Sequence, residues 1–388
     1  MVSHLASVHR IELCKQSLDE RFTEKAVHFV KSVLSELIRV QFSDTLISDD
    51  FLSGFTHVRI KDSTKFIVPP NLADHYSGNG GGAAGIAIQY EYDLKTGKFL
   101  DLTLTEASRN DQTDASQTVE NICENDLILR DMGYFSTSVL RKIEKKRAWY
   151  LSKLPASTSI YLDDATEPDF KNLERLMVKS GITKFEMQVF LGENHLPVRL
   201  MIGLVPPAVY QERIRRKEAE EKRKGHKTKE KTKILLHFNL YITNTDESQL
   251  PIDKIMPLYR FRWQVELFFK IWKSRFSIHA MQKMKEARYI TMLYIRLILI
   301  VVNLQIVNRL QYILSKQQRG ILSYHKTMHT MKDKFDKVVS ILRDSSQNAV
   351  EALEHLFRIL SKNHWREKRK GRENFIENIC LFTCISEI

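Results

Sequence analysis

The amino-acid sequence predicts an α/β protein with a mixed sheet, helical segments at both ends and a β-rich insertion. Two patterns lead to this class. Short β-rich runs alternate with helical runs in residues 51–157, which is typical of a mixed α/β sheet. Apolar residues spaced three or four positions apart mark helices in residues 1–50 and again after residue 246. A chain of 388 residues has room for about two or three domains.

The first segment, residues 1–50, is predicted to be helical. Ser3–His9 and Leu13–Phe22, joined by a short turn, have the apolar spacing of helices. Such a pair fits the end of a helix-turn-helix module. It fits a small helical cap on the following domain equally well, and the sequence leaves both interpretations open.

The second segment, residues 51–157, begins the sheet. THVRIKD is a short alternating strand, and GIAIQYEYDLKTGKFLDLTLTEA predicts a hairpin that turns at Lys95–Gly97. Gly78–Gly85 lacks the Lys-Ser/Thr pair of a phosphate-binding loop, so we expect a flexible loop there. The elements that follow are a helix at Ala115–Cys123, a strand at Asp126–Asp131, a helix at Ser136–Lys146 and a strand at Ala148–Leu154.

The third segment, residues 158–245, is the predicted β-rich insertion. FEMQVFLG and LPVRLMIGLV predict two strands paired around Gly192–Asn194, and ILLHFNLYIT predicts another. In the intervening stretch Glu212–Lys233, Lys and Arg outnumber Asp and Glu about two to one. This basic arm is interpreted either as a solvated helix face or as a surface that contacts phosphates.

The last two segments are residues 246–330 and residues 331–388. Apolar spacing predicts helices at Leu258–Phe276 and at Lys285 to about Leu314. The C-terminal region is predicted to be helical and polar, with a basic cluster in KNHWREKRKGR.

The composition excludes several classes of protein. Hydrophobic residues make up 43% and charged residues 28%, which excludes a disordered or collagen-like chain. Four cysteines are too few for a disulfide framework, so we expect reduced thiols and a cytoplasmic protein. The N-terminus has no signal-peptide pattern. The apolar run Met292–Val307 is shorter than the roughly 20 residues that a bilayer requires and contains Arg296 and Asn303. It therefore predicts a buried core helix and no membrane span.

The net charge indicates the kind of partner. Lys and Arg number 60 against 47 Asp and Glu, which gives +13 at pH 7 and a pI of about 9.4. Such an excess favours a polyanion, with nucleic acid ahead of an anionic membrane surface. A basic protein without a polyanionic partner is the alternative.

Four polar residues share one stripe of the predicted helix at Leu258–Phe276. Tyr259, Arg262, Glu266 and Lys273 lie within about 60° of one another when each residue turns the helix by about 100°. A carboxylate flanked on its own stripe by Arg, Lys and Tyr is unusual for a surface helix. An ordinary i, i+4 ion pair explains Arg262 and Glu266 but leaves the other two unexplained.

Two aspartates lie at the carboxyl ends of predicted strands. Asp62 shares a strand face with Val58 and Ile60, and Asp131 ends the run DLILRD before a Met-Gly turn. Taken singly, each is more typical of a turn or cap residue. The carboxyl ends of strands in α/β sheets are, however, the usual place for a site. Two aspartates and a helical glutamate would suit two Mg²⁺ ions, which assist in-line displacement at a phosphodiester.

The sequence resembles a known family at these residues. Tyr259, Arg262, Glu266 and Lys273 match, without a gap, the Y-x2-R-x3-E-x6-K signature of DDE transposases of bacterial insertion sequences, in the group typified by insertion sequence four. KDST and RDMGYFS resemble the motifs around that family's two aspartates. Further blocks that resemble the family are RAWYLSKL, LPVRL, ERIRRK, LYITN and HWREKRKGR.

The resemblance implies a ribonuclease H-like catalytic fold in which Asp62, Asp131 and Glu266 bind the metal ions. Two Mg²⁺ ions, replaceable by Mn²⁺, would serve the cutting of transposon ends and their joining to target DNA. Tyr259, Arg262 and Lys273 would hold the transposon-end DNA near the cleaved phosphate. The implied partners are the terminal inverted repeats and the target duplex, and the implied assembly is a homodimer on DNA. We expect the protein in the cytoplasm, associated with the nucleoid.

Two departures from the family pattern keep alternatives open. The chain begins near the expected end of the family's N-terminal DNA-binding domain, so a truncated, non-autonomous transposase that binds DNA and inhibits is one alternative. A metal-dependent nuclease that cuts but does not join is another. No tryptophan lies within residues 158–245, where hairpin-forming relatives carry a base-stacking one. The expected dimer contact is a C-terminal apolar stripe of Val338, Val339, Leu342, Val350, Leu353, Leu356 and Leu360. Packing of this stripe on the chain's own catalytic domain is the alternative for the free protein.

Overall fold

The structure is a computed structural model that describes residues 2–41, 50–163, 165–225, 227–317, 322–334 and 347–365. Backbone contacts divide the chain into two compact units. Unit 1 contains residues 1–47, 63–109 and 265–380, and unit 2 contains residues 48–62, 110–264 and 381–388. The two predicted aspartates therefore belong to unit 2, and the predicted glutamate belongs to unit 1.

Strands and helices alternate through most of the described chain. The strands are β1 (Val58–Ile67), β2 (Gly85–Asp93), β3 (Phe99–Glu106), β4 (Leu127–Arg130), β5 (Trp149–Lys153), β6 (Ile160–Tyr161), β7 (Lys184–Leu191), β8 (Leu196–Leu204) and β9 (Phe238–Thr243). The helices are α1 (Val2–His9), α2 (Lys15–Glu20), α3 (Glu24–Arg39), α4 (Asp50–Ser53), α5 (Asp111–Thr118), α6 (Thr137–Lys145), α7 (Phe170–Ser180), α8 (Pro207–Lys224), α9 (Glu230–Leu235), α10 (Ile252–Arg260), α11 (Arg262–Phe276), α12 (Glu286–Lys316), α13 (Tyr324–Asp333) and α14 (Gln347–Asn363).

Unit 2 is built on a mixed sheet in the order β1-β4-β5-β9-β8-β7-β6, to which β1 contributes its first half. The pairs β1–β4 and β4–β5 are parallel, and the remaining pairs are antiparallel. Apolar side chains of β4, β5, β8 and β9 form one buried cluster with α6 and α7. Burial of this apolar surface is the main driving force that holds the sheet and its helices together.

Unit 1 contains the second half of β1 beside the β2–β3 hairpin, in the order β3-β2-β1. The hairpin turns at Gly97, whose φ of +71° is unstrained only for glycine. Tyr90 on β2 packs edge-on against Phe269 and Trp272 of α11, with ring centroids 5.7 and 5.4 Å apart. These aromatic contacts fix α11 against the hairpin.

The N-terminal helices also belong to unit 1 and contact α12. Arg288 at the start of α12 donates to Asp19 on α2 at 2.8 Å, and Gln305 donates to the Leu37 carbonyl of α3 at 3.4 Å. Both interpretations of the first segment, the end of a helix-turn-helix module and a helical cap, stay open. The predicted domain limits, including those of the insertion at residues 158–245, stay predictions; in the structure that segment supplies β6–β9 to the sheet of unit 2.

The α/β prediction is confirmed, but three elements differ from it in detail. The helix expected at Leu258–Phe276 is two helices, α10 and α11, interrupted at Phe261. The start of α10 was not predicted, because Pro257, which lacks an amide donor, lies inside that helix. Helix α7 within the insertion was not predicted either. The strand carrying Asp62 is longer than expected, because backbone pairing continues where the apolar alternation ends: the Val68 amide still donates to the Ala84 carbonyl at 3.2 Å.

Helix α12 is the buried helix that the apolar run predicted. Among the described residues it alone is long and apolar enough to cross a membrane by length and composition. More than half of its most apolar stretch is buried by the rest of the protein, as in a core helix. Three residues of the predicted C-terminal contact stripe, Val338, Val339 and Leu342, and the basic cluster after Trp365 lie outside the described residues.

Candidate active site

The parallel pairing of β1 with β4 brings Asp62 and Asp131 together. Lys61 pairs in register with Arg130, so the two aspartates are the next residues along adjacent strands. Neighbouring strands lie about 4.8 Å apart, and residues in register share a face of the sheet. Asp131 directly follows β4, as predicted. Asp62 does not end its strand, as sequence analysis expected, because β1 continues to Ile67; it lies where the parallel pairing ends.

The residues beside the two aspartates hold them in place. Lys61, which points to the opposite face, is fully buried and forms an ion pair with Asp114 of α5 at 2.7 Å. Asp131 begins a 3-10 turn, and its carbonyl accepts from the Tyr134 amide at 3.0 Å. Gly133 in that turn approaches Asp111 so closely that an added Cβ would lie 2.9 Å from a carboxylate oxygen. Residues beside both aspartates therefore contact α5.

Arg262 lies against both aspartates. One guanidinium nitrogen, Nη1, is 3.4 Å from Asp62 Oδ2, and Nε is 3.8 Å from Asp131 Oδ1. The side chain of Arg262 is 13% exposed, whereas those of Asp62 and Asp131 are 17% and 43% exposed. The two carboxylates thus share one cation at a position that remains open to solvent on the Asp131 side.

Tyr259 is buried behind the aspartates. Its hydroxyl donates to the Arg130 carbonyl at 3.1 Å and accepts from the Lys153 backbone amide, so it bridges the ends of β4 and β5. Its ring packs edge-on against Tyr241 at 5.0 Å. Burial raises the pKa of this phenol well above its usual value, and the hydroxyl stays protonated. The interruption at Phe261 places Tyr259 at the end of α10, whereas the other three signature residues lie on α11.

Glu266 and Lys273 lie on the part of α11 that belongs to unit 1. Glu266 is half-buried and follows Arg262 by one helical turn, which places both on one stripe of the helix. The Lys273 ammonium donates to the Lys65 carbonyl of β1 at 3.3 Å. Burial lowers the pKa of Lys273. The convergence of Glu266 with the aspartates stays a prediction.

The donor set suits a hard divalent cation. Mg²⁺ prefers carboxylate oxygens and usually takes only one or two from the protein. Asp62 and Asp131 offer such oxygens, and the guanidinium of Arg262 already occupies the place of a cation beside them. Among the described residues, however, no group of three or more His, Cys, Asp or Glu side chains is arranged to hold a metal ion. One charged neighbour of this site, Lys153 at the end of β5, was not predicted, because only the order of the strands places it beside Asp131.

Comparison with known proteins identifies the family. The family model described as "Transposase DDE domain" matches residues 53–303. The chain is 32% identical to the transposase for insertion sequence element IS231B of Bacillus thuringiensis subsp. berliner, over 93% of this chain and 80% of that protein. It is 30% identical to the transposase for IS231E of Bacillus thuringiensis subsp. finitimus, over 97% and 83%. It is 28% identical to the transposase for IS1151 of Clostridium perfringens, over 76% and 67%.

The matched region contains every residue of the site described above. It includes Asp62, Asp131 and all four signature residues from Tyr259 to Lys273. The mixed α/β architecture agrees with the ribonuclease H-like fold expected of such a domain. The protein is accordingly an enzyme that cleaves and transfers DNA, and the inhibitor interpretation is not favoured. The chain belongs to the DDE transposases of bacterial insertion sequences.

Proposed function

We propose that the chain cuts DNA at the terminal inverted repeats of its insertion sequence and joins the 3′ ends to target DNA, with Asp62, Asp131 and Glu266 as the catalytic triad. The observation that carries this proposal is the placement of Asp62 and Asp131 in register on adjacent parallel strands, with Arg262 against both. Two carboxylates on one face of a sheet, with a third one turn beyond Arg262, are the ligands that a two-metal phosphoryl transfer requires.

The three carboxylates would hold two Mg²⁺ ions, with Mn²⁺ as a substitute. Bound there, the ions would activate the attacking oxygen and stabilise the leaving oxygen of an in-line displacement. Arg262 would turn from the aspartates to a DNA phosphate when divalent cations neutralise the carboxylates. Lys273, held at the β1 backbone, would contact the phosphate backbone from α11. Tyr259 has its hydroxyl engaged by the strand ends, so its contribution is to position Asp131 rather than to contact DNA.

The DNA partner is expected to include surfaces beyond the site. The basic arm forms the exposed helix α8, ended by Gly225, and then α9. Some of its cations are already paired on the helix: Lys217 and Lys224 both donate to Glu220 and lower the pKa of that carboxyl to about 2. Other cations of the helix, Lys222 and Arg223, are exposed and would contact the backbone of a bound duplex. The active assembly would be a homodimer that holds two ends, acting in the cytoplasm at the nucleoid.

The proposed exchange at Arg262 predicts how metal affinity changes. Arg262 competes with a divalent cation for Asp62 and Asp131. Arg262→Gln should therefore bind Mn²⁺ more tightly than the natural chain when DNA is absent. The expected gain is on the order of 10-fold in Kd, which corresponds to ~1.4 kcal/mol of binding free energy. The same variant should bind pre-cut end duplexes more weakly, with a salt slope reduced by roughly one. Calorimetry with Mn²⁺ and fluorescence anisotropy with DNA measure the two effects. Equal Mn²⁺ affinity in both proteins would contradict the exchange.

A strand-transfer assay tests the function itself. The purified chain is incubated with duplexes that carry the inverted-repeat ends of its own element and with a supercoiled target. We expect 3′-end cutting and joined products with Mg²⁺ or Mn²⁺, and neither after EDTA treatment. Cutting without joining would favour the nuclease alternative. Binding of end duplexes without cutting under any metal condition would contradict the proposal.

A further inference from the structure

Lys153 at the end of β5 lies in register with the two aspartates on the neighbouring strands. β5 pairs parallel with β4, and Arg130 pairs in register with Ser152. The register of β1 with β4 places Lys61 beside Arg130. One residue further along the three strands are Asp62, Asp131 and Lys153, which therefore lie side by side on one face of the sheet.

The Lys153 ammonium has unusual surroundings for a lysine. It is half-buried, and in the part of the chain that the structure describes no carboxylate lies within ion-pair distance of it. Arg213 and Arg262 lie near enough to repel its charge, and Asp131 lies near enough to attract it. Burial lowers the pKa of Lys153, the positive charge of Arg213 lowers it further, and Asp131 opposes them. Asp131 itself is already contacted by Arg262.

Arg213 cannot relieve this crowding by turning away. It extends from α8, and its guanidinium donates to the carbonyls of Leu236 and Phe238 at 3.0 and 2.8 Å and to Asn239 Oδ1 at 2.6 Å. Three acceptors fix it in place, and none of the three is charged. The end of β5 thus carries a rigid concentration of positive charge beside Asp131. A partly buried cation without a counter-ion is costly, so the arrangement favours an incoming anion.

We propose that Lys153 is a phosphate-binding residue of the active site, whose ammonium donates to a non-bridging oxygen of a DNA backbone phosphate bound beside Asp131. This inference rests on the proposed function, because it takes the anion to be the DNA cut at that site. A phosphodiester oxygen supplies the negative charge that the position beside Lys153 and Arg213 favours. Lys153 would fix the bound strand on the β5 side of Asp131, opposite to Asp62.

The test compares three variants in DNA binding. Lys153→Gln should bind a pre-cut end duplex about 10-fold more weakly in EDTA, with the salt slope reduced by roughly one. Lys153→Arg should retain most of the affinity, because it keeps the charge. Lys146→Gln is the matched control: it removes the same charge from unit 2 at a lysine paired with Glu120, and its affinity should stay within about twofold of the natural chain.

Single methylphosphonates in the end duplex locate the contact without relying on a variant that folds poorly. In the natural chain, neutralising the phosphate that Lys153 binds should weaken binding about as much as Lys153→Gln does. In Lys153→Gln the same methylphosphonate should add no further loss. Two results would overturn the inference in a natural chain that still cuts DNA. One is that, at every phosphate, the loss of affinity from the methylphosphonate adds to the loss from Lys153→Gln. The other is that Lys153→Gln leaves both the affinity and the salt slope unchanged. A natural chain that neither binds nor cuts end duplexes would instead overturn the proposed function.

Discussion

Replacing Asp131 with Asn is expected to abolish DNA cutting and strand transfer while DNA binding remains nearly intact. The amide keeps the size of the side chain but supplies one neutral oxygen in place of two charged ones, so it no longer anchors a divalent cation. Bound metal ions stabilise the transition state of phosphoryl transfer by several kcal/mol, and each 1.36 kcal/mol changes the rate about tenfold. We therefore expect a loss of about 10³-fold or more in single-turnover cutting of labelled end duplexes.

A matched substitution separates this effect from a general loss of charge. Asp163 is an exposed turn residue of unit 2 whose carboxylate accepts from the amides of Ala165 and Thr166, and Asn can take the same role. Asp163→Asn should cut DNA like the natural chain. Asp62→Asn and Glu266→Gln should fail as Asp131→Asn does. Normal cutting by Glu266→Gln would show that the glutamate is only the helical partner of Arg262 and that the triad is wrong.

The sheet around the aspartates could be predicted because its signals are local. Apolar alternation located β4 and β5, and the Met-Gly turn located the end of the strand before Asp131. The register of Asp62 with Asp131 could not be read in the same way, because a register depends on which strands are neighbours. For Asp62 the expected strand end was wrong: the residue lies within β1, and its position beside Asp131 is set by where β4 ends. Its role as a metal ligand stays a prediction.

The roles of Tyr259 and Lys153 depend on tertiary contacts that a helical stripe or a strand pattern does not contain. The angular argument grouped Tyr259 with Arg262, but the break at Phe261 and the bridge to Arg130 bury the tyrosine. Lys153 looked like an ordinary strand end, and only the parallel order β1-β4-β5 places it beside Asp131. In both cases the chemistry arises from neighbours that are distant in sequence.

The opposite end of the parallel ladder contains the contact with the largest expected effect on stability. Asp126 directly precedes β4, is fully buried, and accepts from His57 Nδ1 and Arg59 Nη1, each at 2.8 Å, and from the Cys123 amide at 2.9 Å. Arg59 is also buried and has a further acceptor in the Asn121 carbonyl. This carboxylate joins the start of β1 to the start of β4 and so fixes the register that ends at Asp62 and Asp131.

Asp126→Ala is expected to lower the free energy of unfolding by about 3–5 kcal/mol, because it removes one partner of a buried ion pair, the carboxylate that the Arg59 guanidinium contacts at 2.8 Å. Urea denaturation followed by tryptophan fluorescence measures the loss. Asp253→Ala is the control: its ion pair with Lys184 is largely exposed, and such pairs contribute about 0–1 kcal/mol. A loss for Asp126→Ala no larger than that of the control would show that the strand register does not depend on this carboxylate.

The same carboxylate predicts an acid-sensitive component of stability. Burial alone would raise the pKa of Asp126, but the hydrogen bonds from His57, Arg59 and Cys123 outweigh it and lower the pKa below its usual value. A carboxyl whose pKa is lower in the folded than in the unfolded state stabilises the fold above the unfolded pKa of about 3.9, and the stabilisation is lost as the pH falls through the folded value. The free energy of unfolding of the natural chain should therefore fall as the pH drops below about 5, and that of Asp126→Ala should fall less over the same range. Parallel losses in both proteins would assign the acid sensitivity to other carboxylates.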